Sequence, residues 1–349
     1  MAPVFTANWF NFGRNQSAGA AGPPGYVQAT GGDAVTSPYP DGSGNTWKTH
    51  VFTGSGTFVV SELASNPTND TCQYLVVGGG GGTGSRWHSG GGGGGGVLVS
   101  PGFPGIPTNV HQGPWNGVLT AQTYPVTVGS GQNNANAPGS NNSNPTTPIQ
   151  PSKISSPTAD LVLSYGGGYG GTYQTNGQPG GSGGGAGAGG PAEQGVGSNP
   201  GQSSQQGYPG GAGGGPSSGG CGGGGGGAAY QGREGHTGHG GIGRVVNIFA
   251  TPTSEQTYGG TQPGNPAPIK GCFAGGGGGS NEGIGASTGG GMFGPGSPGI
   301  DPGWNHAGAG GSNEDGDANT GGGAGAPSNN TGSGNAGGSG IVAIRYKVG

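Results

Sequence analysis

The chain has 349 residues, of which 99 are glycine and 29 proline, whereas charged residues make up 6% and apolar residues 27%. Glycine brings no side chain to a core, so a conventional core for this length is excluded, as are long helices, which Gly and Pro would interrupt. The net charge of −4 leaves no basic patch for nucleic acid, and no run of about 18 apolar residues could cross a membrane.

Strand signals appear first before Gly78. The segment 47–60 (WKTHVFTGSGTFVV) has two β-rich runs around Gly54-Ser55-Gly56, which predicts a hairpin, and 73–77 (QYLVV) predicts another strand. Later apolar segments are short and rich in β-branched or aromatic residues: 97–100, 124–128, 160–165, 244–249 and 340–348. Together they predict a mainly β fold with almost no helix, a small antiparallel sandwich in which the last strand closes on the first ones.

Uninterrupted glycine runs separate these strands, at 78–82, 90–96, 222–227 and 275–279. Such chains are usually flexible coil, but extended glycine segments can also pack side by side as polyproline II-like helices, which have no internal hydrogen bonds. Each helix must then donate and accept laterally, so that every buried amide and carbonyl finds a partner. We therefore expect polyglycine II-like layers docked on the β core.

The first 46 residues precede the first strand signals. Their aromatic side chains form a cluster with little else to bury it: Phe5, Trp9, Phe10 and Phe12. This favours an N-terminal attachment arm (1–46) ahead of one glycine-rich β domain (47–349), whose strand core is 47–77 with 341–348. In the alternative interpretation the aromatics cover the sandwich edge. The start carries no secretory signal, so we expect synthesis in the cytoplasm and exit by a route such as cell lysis.

Sites for cofactors and catalysis are weakly supported. Phosphate binding would require a Gly-rich loop between a strand and a helix, and no Gly-rich loop of this sequence has that setting. No set of residues suited to catalysis is visible either. His236 and His239 near Glu234 are weak metal candidates without a fixed third ligand, and 313–317 lacks most of a calcium loop. The three cysteines are too few for a disulfide framework; a bridge between Cys221 and Cys272 stays open, with buried free thiols preferred. We expect no enzyme and no cofactor.

Aromatic and histidine residues on loops between glycine runs are the candidates for contact with a partner, because rigid aromatic rings supply contact area at low entropic cost. The candidates are Trp87, His88, Trp115, Tyr208, Tyr230, Trp304 and His306, with His111, Tyr165, Tyr169 and Tyr173 in similar settings. The alternative is that these rings cap the ends of the glycine layers. Tyr165, in a strand run, favours capping, and Trp87 and Trp304 favour surface contact.

Three elements in order give the chain a family resemblance. The opening element is HVFTGSGTFVV (50–60) followed by YLVVGGGGG (74–82), the middle one is YPVTVG (124–129), and the closing one is GGSGIVAIRY (337–346). With these elements the chain resembles the glycine-rich proteins of tailed bacteriophages, especially marine ones. Residues 1–46 and the Pro-rich stretch 100–123 lie outside the family pattern.

The resemblance implies a virion structural protein, a tail-fibre component or a fibre-tip adhesin, with loops at the distal end meeting a host receptor. The implied partners are other virion proteins and a saccharide or outer-membrane receptor, with no nucleic acid and no membrane insertion. Low charge favours a homo-oligomer. The alternatives are a capsid-surface decoration or head-fibre protein and, more remotely, an ice-binding protein or a glycine-rich filament, which would need flat Thr or Ala faces or a fixed repeat.

Overall fold

The computed structural model describes residues 25–84, 88–106, 111–132, 151–189, 205–215, 221–235, 238–249, 258–262, 269–280, 314–327 and 334–349. Within these ranges the chain forms fourteen β-strands, and its helical content is one 3-10 turn at Pro67–Asn69. The strands are β1 (Gln28–Gly31), β2 (Ala34–Val35), β3 (Tyr39–Pro40), β4 (Thr46–Phe52), β5 (Gly56–Glu62), β6 (Cys72–Val77), β7 (Val97–Val99), β8 (Thr123–Thr127), β9 (Ser152–Ser155), β10 (Asp160–Ser164), β11 (Arg244–Val245), β12 (Gly260–Gln262), β13 (Ile269–Phe273) and β14 (Ile341–Lys347). The mainly β prediction is confirmed.

The strands form three antiparallel sheets. The first sheet has the order β1-β5-β8-β9-β10, and the central sheet has the order β2-β4-β14-β6-β7, with β3 also paired to β4. The third sheet is β11-β13-β12. β14 lies between β4 and β6, pairing Val342 with both Phe52 and Val76. The predicted closure of the last strand on the first ones is therefore confirmed.

The central sheet is buried on both faces. One face packs against the first sheet through a cluster that includes Phe52, Phe58, Tyr74, Tyr124 and Tyr346. The opposite face packs against the third sheet and its flanking residues through a second cluster: Val51, Leu75, Val77, Val97, Val99, Phe103, Ile106, Ala228, Val246, Ile248, Phe249, Phe273, Ala274, Ile341 and Ala343. Burial on both faces explains why β6 and β14 read as nearly continuous apolar runs rather than alternating ones.

The predicted hairpin at 47–60 is wrong. β4 belongs to the central sheet and β5 to the first sheet, and the two strands do not pair. Residues 53–55 form a corner between layers, held by Asp33, whose carboxylate accepts hydrogen bonds from the amides of Thr53 (2.7 Å) and Gly54 (2.9 Å). The corner lets Phe52 and Phe58 enter the same inter-sheet cluster, whereas a hairpin would leave both strands in one layer.

Residues 25–46, the described part of the predicted arm, are built into the sheets. β1 pairs with β5 at one edge of the first sheet, and β2 and β3 pair with β4. The arm's aromatic residues, Phe5, Trp9, Phe10 and Phe12, lie outside the described residues.

Glycine-rich segments extend from the strand ends and form one bundle. We call it the glycine bundle; it consists of residues 78–84, 90–96, 165–172, 178–189, 207–215, 221–228, 232–235, 238–243, 274–280, 314–327 and 334–340. The ladder between β6 and β7 continues into it, since the Gly78 amide donates to the Gly96 carbonyl (3.0 Å). Segments of the bundle therefore continue directly from strands of the sheets, and the strands fix the direction of these segments.

Candidate functional site

Segment 90–96 lies at the centre of the glycine bundle and shows how the bundle is held together. Its amide donors fall into three sets with a period of three residues: 90, 93 and 96 donate to 165–171, 91 and 94 to 221–227, and 92 and 95 to 321–326. The distances are 2.7–3.0 Å. A three-residue period is that of the polyproline II helix, in which every third residue faces the same way.

The carbonyls of the same segment reach three further segments. Those at 91 and 94 accept from 182–185, those at 93 and 96 from 78–81, and that at 92 from Gly277. Segment 90–96 is therefore surrounded by six others, and the described lateral hydrogen bonds pair all seven of its amides and five of its carbonyls, the groups that a polyproline II helix leaves unpaired. The predicted polyglycine II-like packing is confirmed.

Glycine is required here because the backbones approach one another too closely for a side chain. A Cβ atom added at any residue from 90 to 95 would lie 2.0–2.3 Å from a backbone carbonyl oxygen of another segment. Such an approach is well inside van der Waals contact, so a neighbouring helix would have to move. The alanines Ala186 and Ala324 are fully buried and stand where the packing leaves room for one methyl group.

The two ends of the glycine bundle differ. At the sheet end, segments join strands, as at residues 77–78, 96–97, 164–165, 273–274 and 340–341. At the opposite end, which we call the loop end, the described chain leaves the bundle and re-enters it: 84 to 88, 172 to 178, 215 to 221, 235 to 238, 280 to 314 and 327 to 334. Cross-links tie this end together, for example from the Ser280 amide to the Ser89 carbonyl (3.0 Å).

His88 and Tyr173 form an aromatic pair at the loop end. Their ring centroids are 5.4 Å apart, and 42% of Tyr173 is exposed. The backbone of His88 is left-handed (φ 67°), and its carbonyl accepts from the Ala188 amide (2.8 Å). Gly189 is also left-handed (φ 92°), and a Cβ there would lie 2.2 Å from the Tyr173 ring. Glycine at 189 therefore makes room for the Tyr173 ring.

Trp115 lies among the sheets, away from the loop end. Its ring stacks on Tyr74 with centroids 5.5 Å apart and lies 5.8 Å from Tyr124. The Tyr74 hydroxyl donates to the Trp115 carbonyl (2.8 Å), and burial raises the pKa of Tyr74. Trp115 is partly buried and packs against the edge of the sandwich core.

Tyr208 and Tyr230 lie at the sheet end of the bundle. The Tyr208 amide donates to the Gly227 carbonyl (3.1 Å), and the Gly227 amide donates to the Tyr230 carbonyl (2.9 Å). Ala228 follows and donates to Ala274, directly after β13. Tyr230 is 37% exposed, so it offers a surface ring of similar exposure to Tyr173 at the other end of the bundle.

Of five further predicted residues, only His239 lies in the described part of the chain. Trp87, Trp304, His306 and His236 lie outside the described residues. His239 lies near the loop end, where its carbonyl accepts from the Arg233 amide (2.8 Å). In the part of the chain that the structure describes, no group of three or more His, Cys, Asp or Glu residues could hold a metal ion.

Tyr169, Tyr165 and the cysteines have structural positions. Tyr169 is buried and its hydroxyl donates to the Thr83 carbonyl, while the Tyr165 carbonyl accepts from the Gly96 amide (2.7 Å). All three cysteines are buried thiols that form no disulfide, which confirms the preferred interpretation. None of the described helical residues forms a helix long and apolar enough to span a membrane.

Sequence reasoning did not single out two buried polar groups that the fold places at layer junctions. Arg345 in β14 donates to the Gln73 side chain (2.6 Å) and packs between the rings of Trp47 and Phe103. His50 in β4 lies between Phe58 and Tyr346. The only sequence signal was a charged or titratable residue inside an apolar strand run.

A family model described as a glycine-rich domain matches residues 53–347 of the chain. The match begins directly after β4 and ends at the last residue of β14, so it takes in the described glycine bundle. No curated protein matches the chain, and no solved structure does.

Proposed function

The chain belongs to the glycine-rich domain family, and from this premise we propose that it is a non-enzymatic structural protein of a tailed-bacteriophage particle. In this proposal it is a fibre or fibre-tip component that presents rigid loops for attachment to the host surface. Its partners are other virion proteins and a saccharide or outer-membrane receptor. The sequence elements at 50–60, 74–82, 124–129 and 337–346 support the phage assignment, because they resemble the phage glycine-rich proteins.

One observation supports the attachment role: the described residues at which the chain leaves and re-enters the glycine bundle six times lie at its loop end, opposite the sheets. Loops on a rigid scaffold tolerate sequence change and commonly hold binding residues. The bundle is such a scaffold, since its segments are cross-linked by backbone hydrogen bonds that do not depend on side-chain identity. The loops could therefore vary while their anchor points stay in place.

The pair of His88 and Tyr173 is the described part of the proposed contact surface. An exposed tyrosine ring backed by a second ring offers a flat apolar face with a polar edge, which suits stacking on a sugar ring or on an exposed loop of a membrane protein. Backbone hydrogen bonds from Ala188 and Gln174 hold the surrounding turns, so little entropy is lost when a ligand binds.

Localisation in purified particles tests the phage assignment. The chain should be fitted into cryo-electron microscopy density of intact virions, and density at the distal tail or fibre tip is the expected result. Density on capsid lattice positions would instead make the chain a decoration or head-fibre protein and would remove the receptor role. Absence of the chain from particles would overturn the proposal.

Two matched tyrosine variants test the attachment surface. Tyr173→Ala and Tyr230→Ala remove rings of similar exposure from opposite ends of the glycine bundle. We expect Tyr173→Ala to weaken binding of the fluorescently labelled protein to host cells by about tenfold, the size of a moderate interface contact. Tyr230→Ala should leave binding unchanged. Equal binding by both variants, or a larger loss for Tyr230→Ala, would place the contact surface elsewhere.

A further inference from the structure

His111 connects the central sheet to the glycine bundle. Its carbonyl accepts from the Val99 amide in β7 (2.7 Å), and its amide donates to the Gln205 carbonyl (3.0 Å). The next residue, Gln206, accepts from the Val97 amide (3.0 Å) and leads into segment 207–215 of the bundle. His111 is fully buried and its backbone is left-handed (φ 62°), so the residue is locked into this joint.

The His111 imidazole faces backbone carbonyls. Nδ1 lies 3.1 Å from the Val97 carbonyl oxygen. The backbone carbonyls of Ala228 and Gln206 also lie near the ring, and each favours its protonated form. A carbonyl can only accept, so Nδ1 carries the proton in the neutral ring, and Nε2 is a bare acceptor. Nε2 is buried and has no hydrogen-bond partner. A buried polar atom without a partner makes the joint weaker than its packing suggests.

The charged neighbour of the imidazole opposes protonation. No ionisable side chain comes to the ring from β7, from residues 205–206 or from Ala228. The charged neighbour is Arg244 of β11, which itself interacts with Tyr208. Burial, and then the Arg244 charge, lower the pKa of His111 to about 4. Among the described residues the other buried histidine is His50, and both its ring nitrogens have partners, the Gly31 carbonyl (2.7 Å) and the Tyr346 hydroxyl (3.2 Å).

We propose that His111 is an acid-sensitive latch: protonation of its imidazole opens the joint between β7 and the adjoining segments 205–215 and 221–228 of the glycine bundle, while the sandwich stays folded. A charged imidazole beside Arg244 gains solvation when the joint opens, so the open form takes up the proton. This property concerns the joint alone and does not depend on the proposed phage role.

The direction and size of the effect follow from linkage. The closed joint binds the proton less tightly than the exposed imidazole, whose pKa is 6.5, so closure is favoured at neutral pH and weakens as pH falls from about 6.5 towards 4. Below both values the effect levels off. For a pKa that drops from 6.5 to about 4, the opening equilibrium constant rises about 30-fold between pH 8 and pH 5.

The test is hydrogen exchange followed by mass spectrometry at pH 8 and pH 5, with rates corrected for the intrinsic effect of pH. His111→Asn is the matched variant, since Asn tolerates the left-handed backbone and can donate to the Val97 carbonyl but does not titrate in this range. In the unaltered protein, peptides from 205–215 and 221–228 should lose about 30-fold of their protection at pH 5. In His111→Asn these peptides should lose none, while β4 and β5 behave as in the parent.

Two results would overturn the latch. In the first, His111→Asn keeps the same pH response in 205–215 and 221–228. In the second, the unaltered protein loses protection equally in the sandwich and in the joint, which would mean that the whole fold opens. Should His111→Asn fail to fold, Arg244→Gln decides: the pH response should become several-fold weaker, and an unchanged response would refute the proposal.

Discussion

The sandwich and the glycine bundle are both closely packed, but different parts of the residue hold each one together. In the sandwich, buried rings such as Phe58, Tyr74 and Tyr346 fill the space between two sheets. In the bundle, residues such as Gly92 contribute only backbone, and each backbone approaches the next so closely that a methyl group is excluded. The sandwich is stabilised by removing apolar surface from water, and the bundle by lateral hydrogen bonds and backbone contact.

The comparison shows that the position of a glycine within the three-residue period of its segment can determine its hydrogen-bond partner. In a strand, the identity of each side chain decides which face is buried. In segment 90–96, the position modulo three decides which neighbouring segment receives each amide. The packing of segment 90–96 does not depend on side-chain chemistry, but it is sensitive to a methyl group added at residues 90–95 and to the length of the segment.

Truncating the sandwich core should have the largest effect. Phe58→Ala removes a fully buried ring that contacts His50, Tyr124 and Tyr346. We expect the free energy of unfolding to fall by about 3–5 kcal/mol, from lost burial and the cavity left behind. Urea unfolding followed by tyrosine and tryptophan fluorescence measures it. Val35→Ala, at an exposed position, is the control and should change stability by less than about 0.5 kcal/mol.

Adding one methyl group inside the bundle should have the next largest effect. Gly92→Ala places a Cβ 2.0 Å from the Gly81 carbonyl oxygen, and we expect a loss of about 3 kcal/mol because the segments must separate. Gly215→Ala is the matched control, since no atom lies within 4 Å of its added Cβ. Thermal unfolding of both variants measures the difference. Similar melting temperatures would contradict the close packing of segment 90–96.

Changing the length of a glycine run tests the three-residue period. One glycine inserted between Gly93 and Gly94 rotates the preceding residues out of phase with their acceptors, and about 2 kcal/mol should be lost with those hydrogen bonds. Three inserted glycines add a full turn and restore the phase, so this variant should be the more stable of the two. Calorimetry of both insertions gives the order. A steady loss with each added residue would argue against phase control.

The corner between the two layers should show the smallest effect. Partial burial raises the pKa of Asp33, but hydrogen bonds from Gly54 and Thr53 outweigh it, so the pKa lies below its usual value. Asp33→Asn should cost about 1 kcal/mol at pH 7 through weaker acceptance of those bonds. Because the pKa of Asp33 is lower in the fold than its unfolded value of 3.8, the stabilisation is complete well above pH 3.8, and the difference should shrink as pH falls below that value. Melting temperatures from pH 7 to pH 3 measure this; a constant difference would refute it.

Much of the fold was predictable, because strand signals are local. Five predicted strands coincide closely with β6, β7, β8, β10 and β14. β9 and β13 were missed because SKIS and IKGCF are short and mixed with polar or glycine residues. The hairpin was predicted wrongly at Gly54-Ser55-Gly56, since the bonds that make a corner there come from Asp33, twenty residues earlier in the chain.

The candidate site was less predictable than the fold. Exposed aromatics at the two ends of a bundle look alike in sequence: Tyr173 and Tyr230 both follow glycine-rich runs. Only the path of the chain shows that Tyr173 belongs to the loop end and Tyr230 to the sheet end. His111 and Trp115 likewise stand in one Pro-rich loop, yet the first is sealed into the joint and the second stacks on Tyr74.

The sequence by itself determined the structural elements of this protein: short β-branched strands, and glycine runs that can form extended helices but cannot form a side-chain core. Both are local properties of backbone and side chain. Tertiary structure alone decided which segments surround 90–96, which end carries the connections, and which sheet each strand joins. The physical reason is that identical glycines carry no local label, so their partners are chosen by the strands that anchor each segment and by the phase of its amides.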